Sequence, residues 1–247
     1  MSVQSDSPID CELVMRDGLT CADLARPKPN LDPIEAAQLT IALHPADLVA
    51  TQNKEFAQAL LAQGCSLRRN ALAMTLNVQD HPTKSASDMS GDYSLIFIED
   101  LSADALFDSW FSAYPAGHPD FLPGARAELI AENLKPLLDR SMMGANHRSS
   151  QAVLNGSRAI AGIIISLREG RAPYGGPWGS ELWVAPAHQH MGIGKSLIST
   201  AITQLREDGF TSLGLAVTRG NPAQLLYESI GFQLVEESWT LTLQKSN

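Results

Sequence analysis

The stretch Glu181-Leu182-Trp183-Val184-Ala185-Pro186-Ala187-His188-Gln189-His190-Met191-Gly192-Ile193-Gly194-Lys195-Ser196-Leu197-Ile198 decides how the rest of the chain is read. Leu182, Trp183 and Val184 form a short apolar strand, Pro186 turns the chain, and a glycine loop then opens a helix. Gly192 and Gly194 carry no Cβ, so backbone N–H groups can approach an anion closely, and the new helix adds the positive end of its dipole. Lys195 places a cation beside them. Past the loop, Ile193, Leu197, Ile198, Ala201, Ile202 and Leu205 fall on one stripe of a helix of period 3.6. Gly209 ends that helix as a C′ residue. This strand–loop–helix is suited to hold a phosphate group; the plainer alternative is an ordinary strand-to-helix turn with two permissive glycines.

Spacing separates the known phosphate loops. A Walker loop needs Gly-x4-Gly-Lys-Ser/Thr; Gly194-Lys195-Ser196 supplies the end, but Gln189 stands where the first Gly belongs. A dinucleotide fingerprint needs a third Gly where Leu197 stands. Downstream, residues 211–217 alternate Leu213, Leu215 and Val217 with smaller residues, as a half-buried strand does. Asn221-Pro222 starts a helix, with Asn as N-cap and Pro at N1, which runs to about Ser229 and ends at Gly231. Residues 232–243 read as a final, apolar-rich strand pair. Two signatures therefore stand in order: Gln189-His190-Met191-Gly192-Ile193-Gly194, then Asn221 followed by Leu226-Tyr227-Glu228-Ser229-Ile230-Gly231-Phe232. They resemble the Gln/Arg-x-x-Gly-x-Gly/Ala pyrophosphate loop and the Asn…Leu-Tyr-Glu-x-x-Gly-Phe helix of the GNAT acyltransferase superfamily.

That resemblance implies an α+β fold, a mixed, mostly antiparallel central sheet flanked by helices, with a smaller α/β segment at the N-terminus. It implies an N-acetyltransferase that uses acetyl-CoA as co-substrate, without a metal, and acylates a primary amine on a small molecule or peptide. Backbone N–H groups of His190, Met191, Gly192, Ile193, Gly194 and Lys195 would hold the pyrophosphate. Leu182, Trp183 and Val184 would pair with the pantetheine arm through backbone groups, an N–H near Val184 polarising the thioester carbonyl. Asn221 would contact the donor as well as cap its helix. Tyr227 would protonate the departing thiolate, for which a phenol of pKa near 10 is a suitable acid; the alternative is a packing tyrosine. Some members carry a Glu where this chain has Ala216. That base is absent, and Glu181 is the best remaining carboxylate, acting directly or through water, unless it is only a solvated strand-end residue. No Cys lies near this site in sequence, which favours direct attack in a ternary complex. The other reading is a catalytically silent CoA-binding sensor or interaction module.

Upstream, residues 93–98 read as a strand and 103–113 as a helix carrying Leu106, Trp110 and Phe111 on one face. Residues 114–124 form a loop rich in Pro and Gly, and 125–138 a second helix. In the family these helices and their connection flank the acceptor, so His118, Asp120 and Phe121 are candidate substrate contacts; the bland reading is a surface loop. Residues 151–154 and 159–167 are strands about a turn at Gly156. Residues 170–179 form a long glycine-rich connection whose Tyr174 and Trp178 either wall the acceptor pocket or cap the sheet.

The bulk properties agree with a folded enzyme. In 247 residues, 44% are apolar and 18% charged, as in a soluble globular chain. The net charge of −9 argues against non-specific nucleic-acid binding. The longest apolar run, residues 159–165, is too short to span a bilayer, and residues 1–10 lack a signal-peptide pattern, so no membrane association is expected. Cys11, Cys21 and Cys65 are odd in number without metal-like spacing, and three free thiols suit the cytoplasm. Monomer and homodimer are both open. Asp32-Pro33 starts a helix through Leu43, a second helical pattern covers residues 46–62, and residues 67–78 are one or two strands. Gly64 to Leu76 aligns without gaps on Gly231 to Leu243, with four of thirteen positions identical, and both follow a leucine-bearing helix. Residues 1–78 thus resemble the back half of a degenerate GNAT repeat, or else form an unrelated helical extension. A polar linker at 79–92 joins them to a catalytic domain at 93–247.

Overall fold

A tight turn at Gly18, whose φ of 73° suits a residue without a Cβ, folds β1 (Ile9–Arg16) back on β2 (Leu19–Pro27) as an antiparallel pair. In the computed structural model, residues 7–16, 18–81, 93–170 and 174–244 are described; residues 82–92 of the expected linker lie outside them. The chain packs as two compact units, Met1–Ala73 with Glu236–Asn247, and Met74–Val235.

In the first unit, α1 (Pro33–Leu43) starts where the Asp32 carboxylate accepts from the N–H groups of Ile34 and Glu35 at 2.8 and 2.9 Å. β3 (Leu48–Thr51) is buried at every position, parallel to β2. On its other side it runs antiparallel to the end of the chain's last strand, with Trp239 opposite Thr51 and Leu241 opposite Val49. The helix expected over 46–62 is therefore a strand followed by α2 (Lys54–Ala62), which Asn53 caps. A near-continuous apolar run flanked by strands on both sides pairs more readily than it coils. The β1–β2 hairpin was not anticipated. Gly64, at φ 93°, turns the chain into β4 (Ser66–Asn77), a single strand. Phe56, Leu60, Val49, Trp239 and Leu241 form this unit's core.

In the second unit, β5 (Tyr93–Phe97) is followed by α3 (Ala103–Ser112), capped by Ser102. α4 (Arg126–Leu129) continues through a π turn at Ile130–Leu134 into α5 (Lys135–Leu138). Pro136 has no N–H to give the preceding turn, which accounts for the widened hydrogen-bond spacing there. β6 (Ala145–Asn146), β7 (Gln151–Asn155), β8 (Arg158–Arg168) and β9 (Gly176–Val184) follow, then α6 (Ile193–Glu207), β10 (Ser212–Thr218), α7 (Ala223–Ile230) and β11 (Gln233–Thr242). The strand order is β10-β9-β8-β7-β5, with β6 on β8. Among the described residues of this unit only β9 and β10 pair in parallel, so its sheet is mixed and mostly antiparallel. Helices pack on it around Leu106, Trp110, Leu134, Ile164 and Trp183. Two expectations change. β9 begins at Gly176 inside the supposed long connection, because Gly176 and Pro177 pair with Arg168 and Leu167 of β8. Residues 232–243 make one strand, not a pair, since no turn residue interrupts them. Among the described residues no helix is long and apolar enough to cross a membrane.

Candidate active site

β9 carries the site because its pairing changes halfway along. Ile165 faces Gly179 and Ile164 faces Glu181, so Ser180 is an extra residue, a bulge that bends the strand. The parallel ladder to β10 consists of Trp178 with Gly214 and Gly179 with Leu215, and stops there. From Glu181 onward β9 keeps β8 on one side and leaves its β10-facing backbone groups without a ladder, an edge to which an extended amide chain can add. The Trp183 side chain turns away from that edge into the core, 2% exposed, with Nε1 donating to Ser109 Oγ at 3.0 Å. Its ring lies so close to Gly162 that a Cβ there would sit 2.3 Å from it.

The loop beyond β9 is shaped for an anion. Gln189 folds back, its side-chain amide donating to the Val184 carbonyl at 3.0 Å, so it braces the loop against the strand end. His190 and Gly192 both take left-handed backbone, at φ 62° and 80°. The first intrahelical bond of α6 runs from Ser196 N to the Gly192 carbonyl, so the N–H groups of Ile193, Gly194 and Lys195 have no acceptor within the helix. No side chain caps this helix, Lys195 is exposed beside it, and Met191 is 58% exposed. A Cβ on Gly194 would meet only ordinary contacts, 3.6 Å from Val184 and Leu226. Tyr93 of β5 reaches the same loop, 3.2 Å from His188 Nδ1. The residues present thus fit a pyrophosphate: open N–H groups, a helix N-terminus and a cation, with no carboxylate hydrogen-bonded to the loop among the described residues.

At the splayed end, two tyrosines and two carboxylates converge. Tyr114, just beyond α3, donates to Glu181 Oε1, and its hydroxyl lies 3.1 Å from the Leu182 carbonyl. Asp120, in the loop after α3, accepts from Thr218 Oγ1 at the end of β10 and from Asn221 Nδ2 at 2.7 Å. Asn221 Oδ1 accepts from Ala223 N at 2.8 Å, which starts α7, so this side chain ties the loop after α3 to the helix bearing Tyr227. Tyr227 is 8% exposed and its ring lies 5.7 Å from that of Phe232. Among the described residues nothing hydrogen-bonds its hydroxyl. Burial first, then the charges of Glu181 and Asp120, push the Tyr227 phenol well above its ordinary value. Burial and then Glu181 do the same to Tyr114.

His118 stacks edge-on against Tyr114 at 5.2 Å, its Nδ1 accepting from Asp120 N at 3.1 Å, and half-buried Phe121 follows in the same loop. Tyr174 and Trp178 stand apart from this group. Trp178 is buried at the opposite end of β9 from the splay, with the Arg168 guanidinium 4.6 Å from its ring, and Tyr174 lies 6.4 Å from it. Tyr114 and Thr218 escaped the sequence reading. Tyr114 continues the spacing of Leu106 and Trp110 by one more turn, which was the available signal.

Comparison with known proteins agrees with this geometry. The model of the acetyltransferase (GNAT) family matches residues 104–232. A ribosomal protein bS18-alanine N-acetyltransferase of Haemophilus influenzae is 43% identical over 53 residues, 22% of this chain and 36% of that protein. The chain thus spans about a third of the length of that relative. Among solved structures, a GCN5-related N-acetyltransferase from Kribbella flavida superposes with a TM-score of 0.54 at 13% identity, over 96% of this chain and 90% of that one. A tandem GNAT protein from the clavulanic acid biosynthesis pathway gives 0.56 at 15% identity, over 95% and 79%. At such identities the likeness is one of fold. With a family match over more than half its length, the chain belongs to the GNAT acetyltransferase family.

Proposed function

We propose that this enzyme moves an acetyl group from acetyl-CoA to a primary amine by direct attack in a ternary complex. The observation that carries the reading is the end of the β9–β10 ladder at Gly179 and Leu215, followed in the chain by an uncapped helix N-terminus, with Tyr227 within electrostatic reach of Glu181. Backbone groups of Leu182, Trp183 and Val184 would pair with the donor's amide-bearing arm, and N–H groups of residues 190–195 would take its pyrophosphate. The amine nitrogen bonds to the thioester carbon and the C–S bond breaks. Tyr227 gives its proton to the departing thiolate, and Glu181 takes the proton shed by the amine, directly or through one water. The raised phenol keeps Tyr227 protonated across the working range, as an acid requires. His118, Asp120 and Phe121 would border the acceptor. Tyr174 and Trp178 fit better as a cap on the far end of the sheet.

The acceptor is a small-molecule or peptide amine. The relative named for ribosomal-protein alanine makes a peptide bearing a free N-terminal alanine the first candidate to try. Residues 1–78 we read as the back half of a degenerate repeat, since the order α1-β3-α2-β4 repeats as α6-β10-α7-β11. In the first copy the Asp32 carboxylate already fills the helix N-terminus that Gly192 leaves open in the second, so only the second would bind donor. Three unpaired cysteines, two buried and one half-buried, suit a cytoplasmic site.

The test sets fold against ligand. Gly194→Asp puts a carboxylate in the first turn of α6, where it favours the helix dipole but repels a pyrophosphate. Acetyl-CoA affinity should fall at least tenfold, about 1.4 kcal/mol, with the melting temperature unchanged or raised. Equal affinity by calorimetry in a folded variant removes the donor assignment. Thiol release with amine and peptide pools then identifies the acceptor, and tight donor binding with no amine acetylated would point to a binding module instead.

A further inference from the structure

Glu181 follows the Ser180 bulge of β9, opposite Ile164 of β8 and two residues beyond Gly179, the last to pair with β10. What reaches across is Tyr114. Its ring is held edge-on by Trp110 at 6.2 Å and by His118 at 5.2 Å, the first from α3 and the second from the loop that follows. Its hydroxyl meets two oxygens of consecutive β9 residues, Glu181 Oε1 and the Leu182 carbonyl. A phenol has one proton, and the Glu181 contact is the shorter. A donor hydrogen bond into a carboxylate stabilises its charged form, and a ring held by two aromatic neighbours makes that bond a constraint on the carboxylate's direction. The other titratable groups of this cluster are His118 beside Tyr114, Asp120 in the same loop and Tyr227 from α7. Tyr114 and Tyr227 are both kept neutral by burial, so Tyr114 remains a donor throughout.

We propose that Tyr114 is a positioning residue for acetyl transfer, acting through Glu181: its hydroxyl pins one carboxylate oxygen, turns the carboxylate toward the acceptor and keeps it ready to take the amine's proton. This rests on Glu181 being the acceptor-side base. Tyr114 would thereby set the lower pH limit of the reaction without touching either substrate.

Three variants separate the possibilities: Tyr114→Phe, Glu181→Gln and the pair together. Each is assayed as a pH profile of kcat/KM with the amine or peptide found by the screen. In Tyr114→Phe the acidic limb should move up by about one unit, so kcat/KM falls about tenfold near its foot and stays within about twofold of the parent on the alkaline side. Glu181→Gln should abolish the limb, and Tyr114→Phe added to it should change nothing more. A carbon-13 titration of the Glu181 carboxyl, which needs no acceptor, should show the same upward move. Replacing tyrosine globally by 3-fluorotyrosine keeps every ring and strengthens the phenol donor, so it should move the Glu181 titration downward. If Glu181→Gln keeps the parent profile, the base reading itself is wrong and the proposal falls with it. If Glu181→Gln removes the limb but Tyr114→Phe leaves it in place, or lowers the rate equally at every pH with an unmoved Glu181 titration, Tyr114 only packs and the proposal alone is overturned.

Discussion

At the scale of single residues, burial and nearby negative charge act on Tyr227 in the same direction. Tyr227 is almost wholly buried next to two carboxylates, a setting in which losing its proton would add a third negative charge to a low-dielectric pocket. The neutral phenol is thereby preserved well past its ordinary value of 10.0, which is what a proton donor to a thiolate needs. Tyr227→Phe removes one oxygen and leaves the contact with Phe232. kcat should fall roughly 10²-fold, within the range of general acids, while KM for acetyl-CoA hardly moves, the pattern of an interaction made mainly in the transition state. Because the shift is upward, the parent enzyme should show no alkaline loss of kcat from this group up to the ordinary tyrosine value. A Phe variant that turns over at the parent rate would reduce Tyr227 to a packing residue.

At the scale of elements, the cleft depends on a glycine far from the chemistry in sequence. Gly162 of β8 pairs with Trp183, and the Trp183 ring occupies the space that a Cβ at 162 would need. Gly162→Ala must displace a ring that is 2% exposed and hydrogen-bonded to Ser109. Overpacking of this kind costs about 1–3 kcal/mol, or a drop of roughly 2–4 °C in Tm per kcal/mol at this size. The moved ring would carry the backbone of Leu182, Trp183 and Val184 with it and raise KM for the donor. An unchanged Tm by calorimetry would show that the ring repacks freely. Elements of this kind were only partly legible in the sequence. The loop, α6 and α7 could be read because their signals are local: glycines at fixed offsets, a helical stripe, an Asn-Pro start. The bulge at Ser180, the partners of Asp120 and the reach of Tyr114 to Glu181 could not, because each depends on which strand or loop lies opposite. The same reason explains β3, whose four residues suit a helix as well as a strand until β2 and the last strand flank it.

At the scale of the whole molecule, the echo between Gly64 to Leu76 and Gly231 to Leu243 extends from sequence to structure. Both glycines are left-handed, at φ 93° and 110°, and both open a strand. Burial then matches position by position: Cys65 with Phe232, Leu72 with Trp239, Met74 with Leu241, Leu76 with Leu243, all under 9% exposed. Two equivalent residues even meet, Asn70 Nδ2 donating to Glu237 Oε1 at 2.9 Å. Trp239 and Leu241 belong to the core that also holds Val49, Phe56 and Leu60, and they pair with Thr51 and Val49 of β3. The end of the chain is thus completed by its beginning. Deleting residues 1–73 would strip β3 from the last strand and leave Trp239 and Leu241 uncovered on an open edge, a setting that invites pairing between chains. The shortened protein should aggregate or melt well below the parent, even though every residue of the loop, the splayed strand and Tyr227 is still present. Light scattering and thermal melts on a fragment beginning at Met74 decide the matter. A monodisperse fragment with the parent's Tm and full activity would show that residues 1–73 are an appendage and that β11 needs no partner from them.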